Sequence, residues 1–180
     1  MKLIFNHVHS IFDGVNPLIY LEAEKETESA EYMFNNGWVP YKDIWYQTQS
    51  SRLKLSNIST SRKKELNNIS VTHETNNCDI TIPYDIDAYS DSKHLDFFFD
   101  NIFWGRINFY ENQILYSVMN TVQSKKSYGT LSYYYLIDKF KSEYEYLYIT
   151  DYFHQFDYKS SLPGFEYWNG NQWIKKNKKD

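Results

Sequence analysis

The run from Ser124 to Trp173, SKKSYGTLSYYYLIDKFKSEYEYLYITDYFHQFDYKSSLPGFEYWNGNQW, constrains the fold more tightly than any other part of the chain. Tyr133, Leu136, Ile137 and Phe140 recur at i, i+3, i+4 and i+7, the spacing of one buried helix face, with Asp138, Lys139 and Lys141 directed elsewhere. Ser127 and Gly129 lead into this helix. Glu145 to Thr150 is a short aromatic and β-branched run that reads as a strand of parallel type, ending at Asp151 and a loop that carries His154, Asp157, Tyr158 and Lys159. Phe165-Glu166-Tyr167-Trp168, then Asn169-Gly170, then Asn171-Gln172-Trp173-Ile174 predicts a terminal β-hairpin, because Asn-Gly between alternating aromatic runs favours a tight turn.

Upstream, residues 2–9 alternate as a first strand with His7 and His9 on one side, and Asp13 to Asn16 reads as a turn. Two histidines at i, i+2 are a possible ligand pair, but no carboxylate or third histidine has a supporting spacing, so no metal is expected. Glu22 to Asn36 predicts a helix with Ala30, Met33 and Phe34 on one face, closed by Gly37. Ile44–Gln49 and Ser51–Leu55 read as β runs. In the second, Leu53 and Leu55 face inward and leave Arg52 and Lys54 together on the other face without a local acid, a pattern that suits an anionic partner. Arg62, Lys63 and Lys64 follow Ser61: either they sit in the first turn of a helix capped by Ser61 and form a phosphate site, or they belong to a solvated basic loop. Asn67 to Asp100 is polar, acidic and loop-like, with one strand candidate at Cys78–Ile82. His94 to Trp104 reads as a short helix with Leu95, Phe98 and Phe99 inward, and Gly105–Tyr110 with Gln113–Met119 as a hairpin.

Length and composition bound the rest. A chain of 180 residues with 18 Tyr, 12 Phe and 5 Trp buries a substantial core, and most of its aromatic side chains are expected inside it. A net charge of −4 supplies no global attraction for nucleic acid, so any such contact rests on a local patch. The single cysteine, Cys78, excludes an intramolecular disulfide and a multi-cysteine metal site. No apolar stretch approaches the roughly 20 residues of a membrane span, and a cytoplasmic protein with no membrane partner is expected.

Loop, helix, strand, loop and terminal hairpin in this order resemble the second half of the GNAT superfamily. More narrowly, Tyr158-Lys159 followed by Gly164-Phe165-Glu166-Tyr167-Trp168-Asn169-Gly170-Asn171-Gln172-Trp173 is similar to the end of the bacterial aminoacyl-tRNA–protein transferases related to arginyltransferase. The likeness returns in Gly37-Trp38-Val39-Pro40-Tyr41, in Trp45-Tyr46 and in Ser50-Ser51-Arg52-Leu53-Lys54-Leu55-Ser56, which resemble that family's glycine-proline turn, aromatic pair and serine-x-arginine strand. It covers about half of the chain. Lys63 and Lys64 or Glu65 replace the last residues of the family's basic box, and the middle of the chain is shorter than the family's.

The resemblance implies an α/β (α+β) fold over residues 1–180: one GNAT-like domain with a mixed, mostly antiparallel central sheet flanked by helices and a C-terminal β-hairpin. It implies a tRNA-dependent transferase that moves an amino acid onto the α-amine of a peptide or protein acceptor, with aminoacyl-tRNA as co-substrate and no cofactor. Such an enzyme needs no covalent nucleophile, since the ester is already activated; Asp151, His154 and Tyr158 are the candidate catalytic residues at the strand end. Trp45 and Tyr46 either stack the terminal adenine or pack on a sheet. Arg52, Lys54, Arg62, Lys63, Lys64, Lys125, Lys126 and Lys159 are the candidate tRNA contacts. The alternative is an acyl-CoA-dependent N-acyltransferase, against which Ser124-Lys125-Lys126-Ser127-Tyr128-Gly129 offers only Gly129 to a pyrophosphate loop. A catalytically inactive GNAT-like binding protein is the third reading.

Overall fold

The computed structural model describes residues 3–9, 18–24, 28–41, 44–47, 49–56, 58, 67–68, 70–74, 94–110, 113–118, 128–151 and 159–176. Within them the fold is mixed α/β, with two mostly antiparallel sheets and two helices. The predicted Cys78–Ile82 strand and Ser61 helix lie outside the described residues.

The first sheet has four strands in the order β1-β2-β4-β3, formed by β1 (Leu3–His9), β2 (Leu18–Glu24), β3 (Trp38–Tyr41) and β4 (Ile44–Gln47). The helix predicted from Glu22 is confined to α1 (Ala30–Asn35), and Leu18–Glu24 is a strand instead. The glutamates and apolar residues there satisfy a period of two as well as a helical one, and pairing with both β1 and β4 decides the matter. Helix α1 starts only where Ser29 can cap it, its Oγ accepting from Tyr32 N at 3.2 Å. Gly37 ends it at φ 77°, a left-handed conformation that glycine adopts without a Cβ penalty.

The second sheet has eight strands in the order β12-β11-β5-β10-β9-β8-β7-β6. Its members are β5 (Ser50–Lys54), β6 (Val71–Glu74), β7 (His94–Phe99), β8 (Ile102–Tyr110), β9 (Gln113–Val118), β10 (Tyr146–Asp151), β11 (Phe165–Trp168) and β12 (Trp173–Lys175). The expected hairpin of β8 and β9 is present, and β6 is a strand where only loop was read. The short helix predicted over His94–Trp104 is instead the hairpin β7–β8. Asp100 and Asn101, at φ 49° and 65°, supply the two consecutive positive φ values of a tight turn whose twist matches paired strands. The terminal hairpin β11–β12 closes not on Asn169-Gly170 alone but on the four residues between the Trp168↔Trp173 pair, where Asn169 Oδ1 accepts from the N–H groups of Asn171 and Gln172, both at 3.0 Å.

One pair breaks the antiparallel rule. Strands β9 and β10 run parallel, and α2 (Tyr128–Phe140) lies between them in the chain. Tyr133, Leu136, Ile137 and Phe140 are 0–5% exposed, as their spacing predicts, and pack with Leu53, Leu55, Ile107, Leu147, Ile149 and Phe165 on one face of the large sheet. Side chains alternate across a strand, so Tyr148 of β10 faces the other way and joins Ala23, Met33, Phe34, Trp38, Val39 and Trp45 in a second core. The large sheet therefore has helix α2 on one face and α1 with the small sheet on the other.

Candidate functional site

Strand β5 comes from the N-terminal half yet lies between β10 and β11 of the C-terminal half. Its register lines up Lys175, Glu166, Arg52 and Tyr148 as direct cross-strand neighbours over β12, β11, β5 and β10. Arg52 Nε donates to Glu166 Oε2 at 2.8 Å and its Nη1 to the Tyr148 hydroxyl at 3.2 Å. The guanidinium carbon lies 3.7 Å from the Tyr146 ring centroid and 4.1 Å from that of Trp173. Aromatic faces and a carboxylate thus bury an arginine together. Burial pushes the Tyr148 hydroxyl pKa upward, moderated by the positive charge of Arg52.

This corrects the expectation of two unopposed cations. Leu53 and Leu55 face the α2 core and Arg52 faces away, but away from α2 is a second interior, and the missing acid is Glu166. Arg52 is 6% exposed and holds sheet neighbours; its guanidinium has no free face for a phosphate. Lys54 stays exposed, 5.8 Å from the Tyr146 centroid. It lines a cleft of about 410 Å³ with Ser56, Ile58, Pro163, Gly164, Glu166 and Lys175. Gly164 lets the chain approach β5 closely: it sits at φ +74°, and a Cβ there would come within 2.4 Å of the Lys54 carbonyl oxygen. With Glu166 engaged by Arg52, the two lysines leave the cleft net positive.

The separate stretches behind the family resemblance meet at one junction. A Cβ on Gly37 would fall 2.3 Å from the Trp168 ring, so only glycine admits this approach. Trp173 Nε1 donates to Asn35 O at 3.1 Å, and Ser50 Oγ to Gly37 O at 2.7 Å. Trp45 belongs to this packing: it is 4% exposed and edge-on to Phe34 at 5.4 Å, so of its two readings, adenine stacking or sheet packing, the burial fits packing. Tyr46 is half-buried against the same cluster.

The other end of β10 carries Asp151. Parallel pairing between β9 and β10 runs from Tyr146↔Gln113 to Tyr148↔Leu115, and both strands continue for three residues beyond it. On the opposite side the β10–β5 register shifts between Tyr148 and Asp151, which pairs with Ser50. Lys159 Nζ donates to Ile149 O within this irregular stretch at 3.4 Å, bringing the predicted Lys159 to the same strand end as Asp151. Lys54 is not there. It pairs with Tyr146, five residues back along β10, or roughly 16 Å at about 3.3 Å per residue. Arg62, Lys63, Lys64, Lys125, Lys126, His154 and Tyr158 lie outside the described residues. Among those that are described, no group of three or more His, Cys, Asp or Glu side chains is arranged to hold a metal ion.

Sequence reasoning passed over Glu166, Tyr148 and Lys175 as site residues. The only signal for them was strand parity within the predicted hairpin and β10, and parity does not say which strand lies alongside. No helix among the described residues is long and apolar enough to cross a membrane. No family model and no curated protein matches the chain.

Proposed function

We propose that the chain is a cytoplasmic, GNAT-like transferase that moves an amino acid from aminoacyl-tRNA to the α-amine of a peptide or protein. The observation that carries this reading is the parallel β9–β10 pair, which stops at Leu115 and Tyr148 while both strands run on toward Asp151. In a GNAT-like reading the acyl chain and the attacking amine meet main-chain groups of the two strands beyond the point where that pairing stops. Two features favour tRNA over CoA: in the sequence, Tyr128 and two lysines occupy the positions where a pyrophosphate loop needs small residues, and in the fold Lys54 and Lys175 bring positive charge to one cleft.

The reaction breaks the ester between the aminoacyl carbon and the tRNA 3′ oxygen and forms an amide. The proton leaving the amine passes through Asp151, or through His154 three residues on, to the departing hydroxyl. Lys159, anchored near Asp151, meets the terminal phosphate or adenosine, with Tyr158 beside it in sequence. Lys54, Arg62, Lys63, Lys64, Lys125 and Lys126 neutralise phosphates farther along the tRNA, Lys54 about 16 Å from Asp151 along the strands.

The test is filter retention of charged and uncharged bulk tRNA over a salt series of about 50–200 mM, with Lys54→Ala and Lys63→Ala/Lys64→Ala beside the parent. Micromolar binding that falls steeply with salt and weakens in both variants is expected. No retention at the lowest salt overturns the tRNA reading; turnover of an acyl-CoA would then identify an N-acyltransferase, and its absence a binding protein.

A further inference from the structure

Three reactive side chains meet at the far edge of the large sheet, four strands away from β10. His73 lies on edge strand β6, and Tyr135 and Lys139 lie one turn apart on α2. His73 Nε2 contacts the Tyr135 hydroxyl and lies 2.8 Å from Lys139 Nζ, which is itself 3.5 Å from that hydroxyl. The His73 and Tyr135 rings stack with centroids 5.7 Å apart. His73 Nδ1 is buried and has no hydrogen-bond partner among the described residues.

Proton accounting assigns the charges. If Nδ1 carried the hydrogen, a buried N–H would go unpaired, and the one lone pair of Nε2 would face two competing donors. If Nε2 carries it, the buried Nδ1 is only an unused lone pair. Nε2–H then points at two acceptors, the Tyr135 oxygen and the Lys139 nitrogen, and a lysine nitrogen accepts only as the neutral amine. The second arrangement leaves the fewer conflicts. Desolvation acts in the same direction, lowering the pKa of the half-buried His73 and, against the opposing charge of Glu143, that of Lys139. Lys139 is nonetheless exposed to reagents.

We propose that Lys139 is a nucleophilic amine that forms an imine with small aldehydes, with His73 holding the amine uncharged and Tyr135 acting as proton donor. The Nζ lone pair adds to the carbonyl carbon, the carbonyl electron pair moves to oxygen, and Tyr135 protonates that oxygen. Tyr135 then recovers a proton from the adduct nitrogen. Loss of the second nitrogen proton and of the oxygen as water leaves C=N; nothing is oxidised or reduced. Position rather than acidity fits Tyr135 to this role: its hydroxyl lies 3.5 Å from Nζ, and burial, which pushes its pKa up to about 12, keeps it protonated at neutral pH.

The experiment treats the whole chain with glyoxylate and cyanoborohydride near neutral pH and maps the reduced adducts by mass spectrometry. Lys139 is expected to react about tenfold faster than the exposed Lys175 and the Asp138-paired Lys141, because a desolvated amine held uncharged is the activated nucleophile. His73→Asn should abolish this advantage, and Tyr135→Phe should slow adduct formation while leaving the Lys139 titration in place. Equal labelling of Lys139 and Lys175 in the parent overturns the proposal, as does an advantage that survives in a folded His73→Asn. If His73→Asn does not fold, the parent's labelling ratio and Tyr135→Phe decide.

Discussion

Two arginines in the large sheet, Arg106 and Arg52, are buried almost equally, at 7% and 6% exposure, and each faces a carboxylate on a neighbouring strand. Arg106 forks onto Asp96, with Nε to Oδ1 at 2.7 Å and Nη2 to Oδ2 at 2.9 Å, inside a hairpin whose strands are joined by two residues. Arg52 gives only Nε to Glu166, turns a second nitrogen to a tyrosine hydroxyl, and lies between aromatic rings. The first pair ties neighbours in sequence, ten residues apart; the second ties residues 114 apart and joins the two halves of the molecule. Equal burial thus serves a local staple in one case and the assembly of the candidate site in the other.

Asp96→Ala should show the largest effect in chemical denaturation, a loss of about 3–5 kcal/mol, because Asp96 is 2% exposed and its removal leaves the Arg106 charge enclosed. Arg52→Ala should cost less, about 2–3 kcal/mol, since the Glu166 side chain retains 15% exposure and can turn toward water. Equal losses would break the distinction between the two pairs. Arg52→Lys should recover less than half of that loss, because an ammonium cannot serve Glu166, Tyr148 and two rings from one plane. Trp173→Phe should cost about 1 kcal/mol, removing the bond to Asn35 O while retaining a ring over Arg52.

The smallest effect is one of pH, at the sheet edge remote from both pairs. His73 has its pKa lowered from 6.5, by burial first and by Lys139 second, so the unfolded chain takes up the proton before the folded one. The contribution of His73 to stability is at its full value above about pH 6.5 and declines as pH falls from there through the lowered value. Denaturation midpoints at about pH 7.5 and about pH 5.5 should therefore differ more in the parent than in His73→Asn.

Legibility in the sequence follows the same local-versus-remote divide. Helix α2 was readable because Tyr133, Leu136, Ile137 and Phe140 mark a single face that the core then buries. Strands β5, β8, β9 and β10 were readable from alternation and composition. The β7–β8 hairpin was hidden because Phe97-Phe98-Phe99 masks alternation, leaving only Asp100-Asn101 to mark the turn. Leu18–Glu24 was hidden by a pattern that also fits a helix and is resolved only by its partners β1 and β4. For the site, parity told which side of β5 carries Arg52 and Lys54, but the acid and rings opposite Arg52 depend on β5 inserting between β10 and β11, which no local spacing encodes.

The central claim is tested most directly by incubating the protein with bulk tRNA charged with radiolabelled amino acids and a mixture of peptides bearing free α-amines, then measuring label in peptide amide linkage. Transfer is expected to need the charged tRNA, to have no support from acyl-CoA, and to drop at least about a hundredfold in Asp151→Asn, the low end of what a positioned proton acceptor contributes. Absence of transfer from every charged tRNA, or transfer only from acyl-CoA, would contradict it.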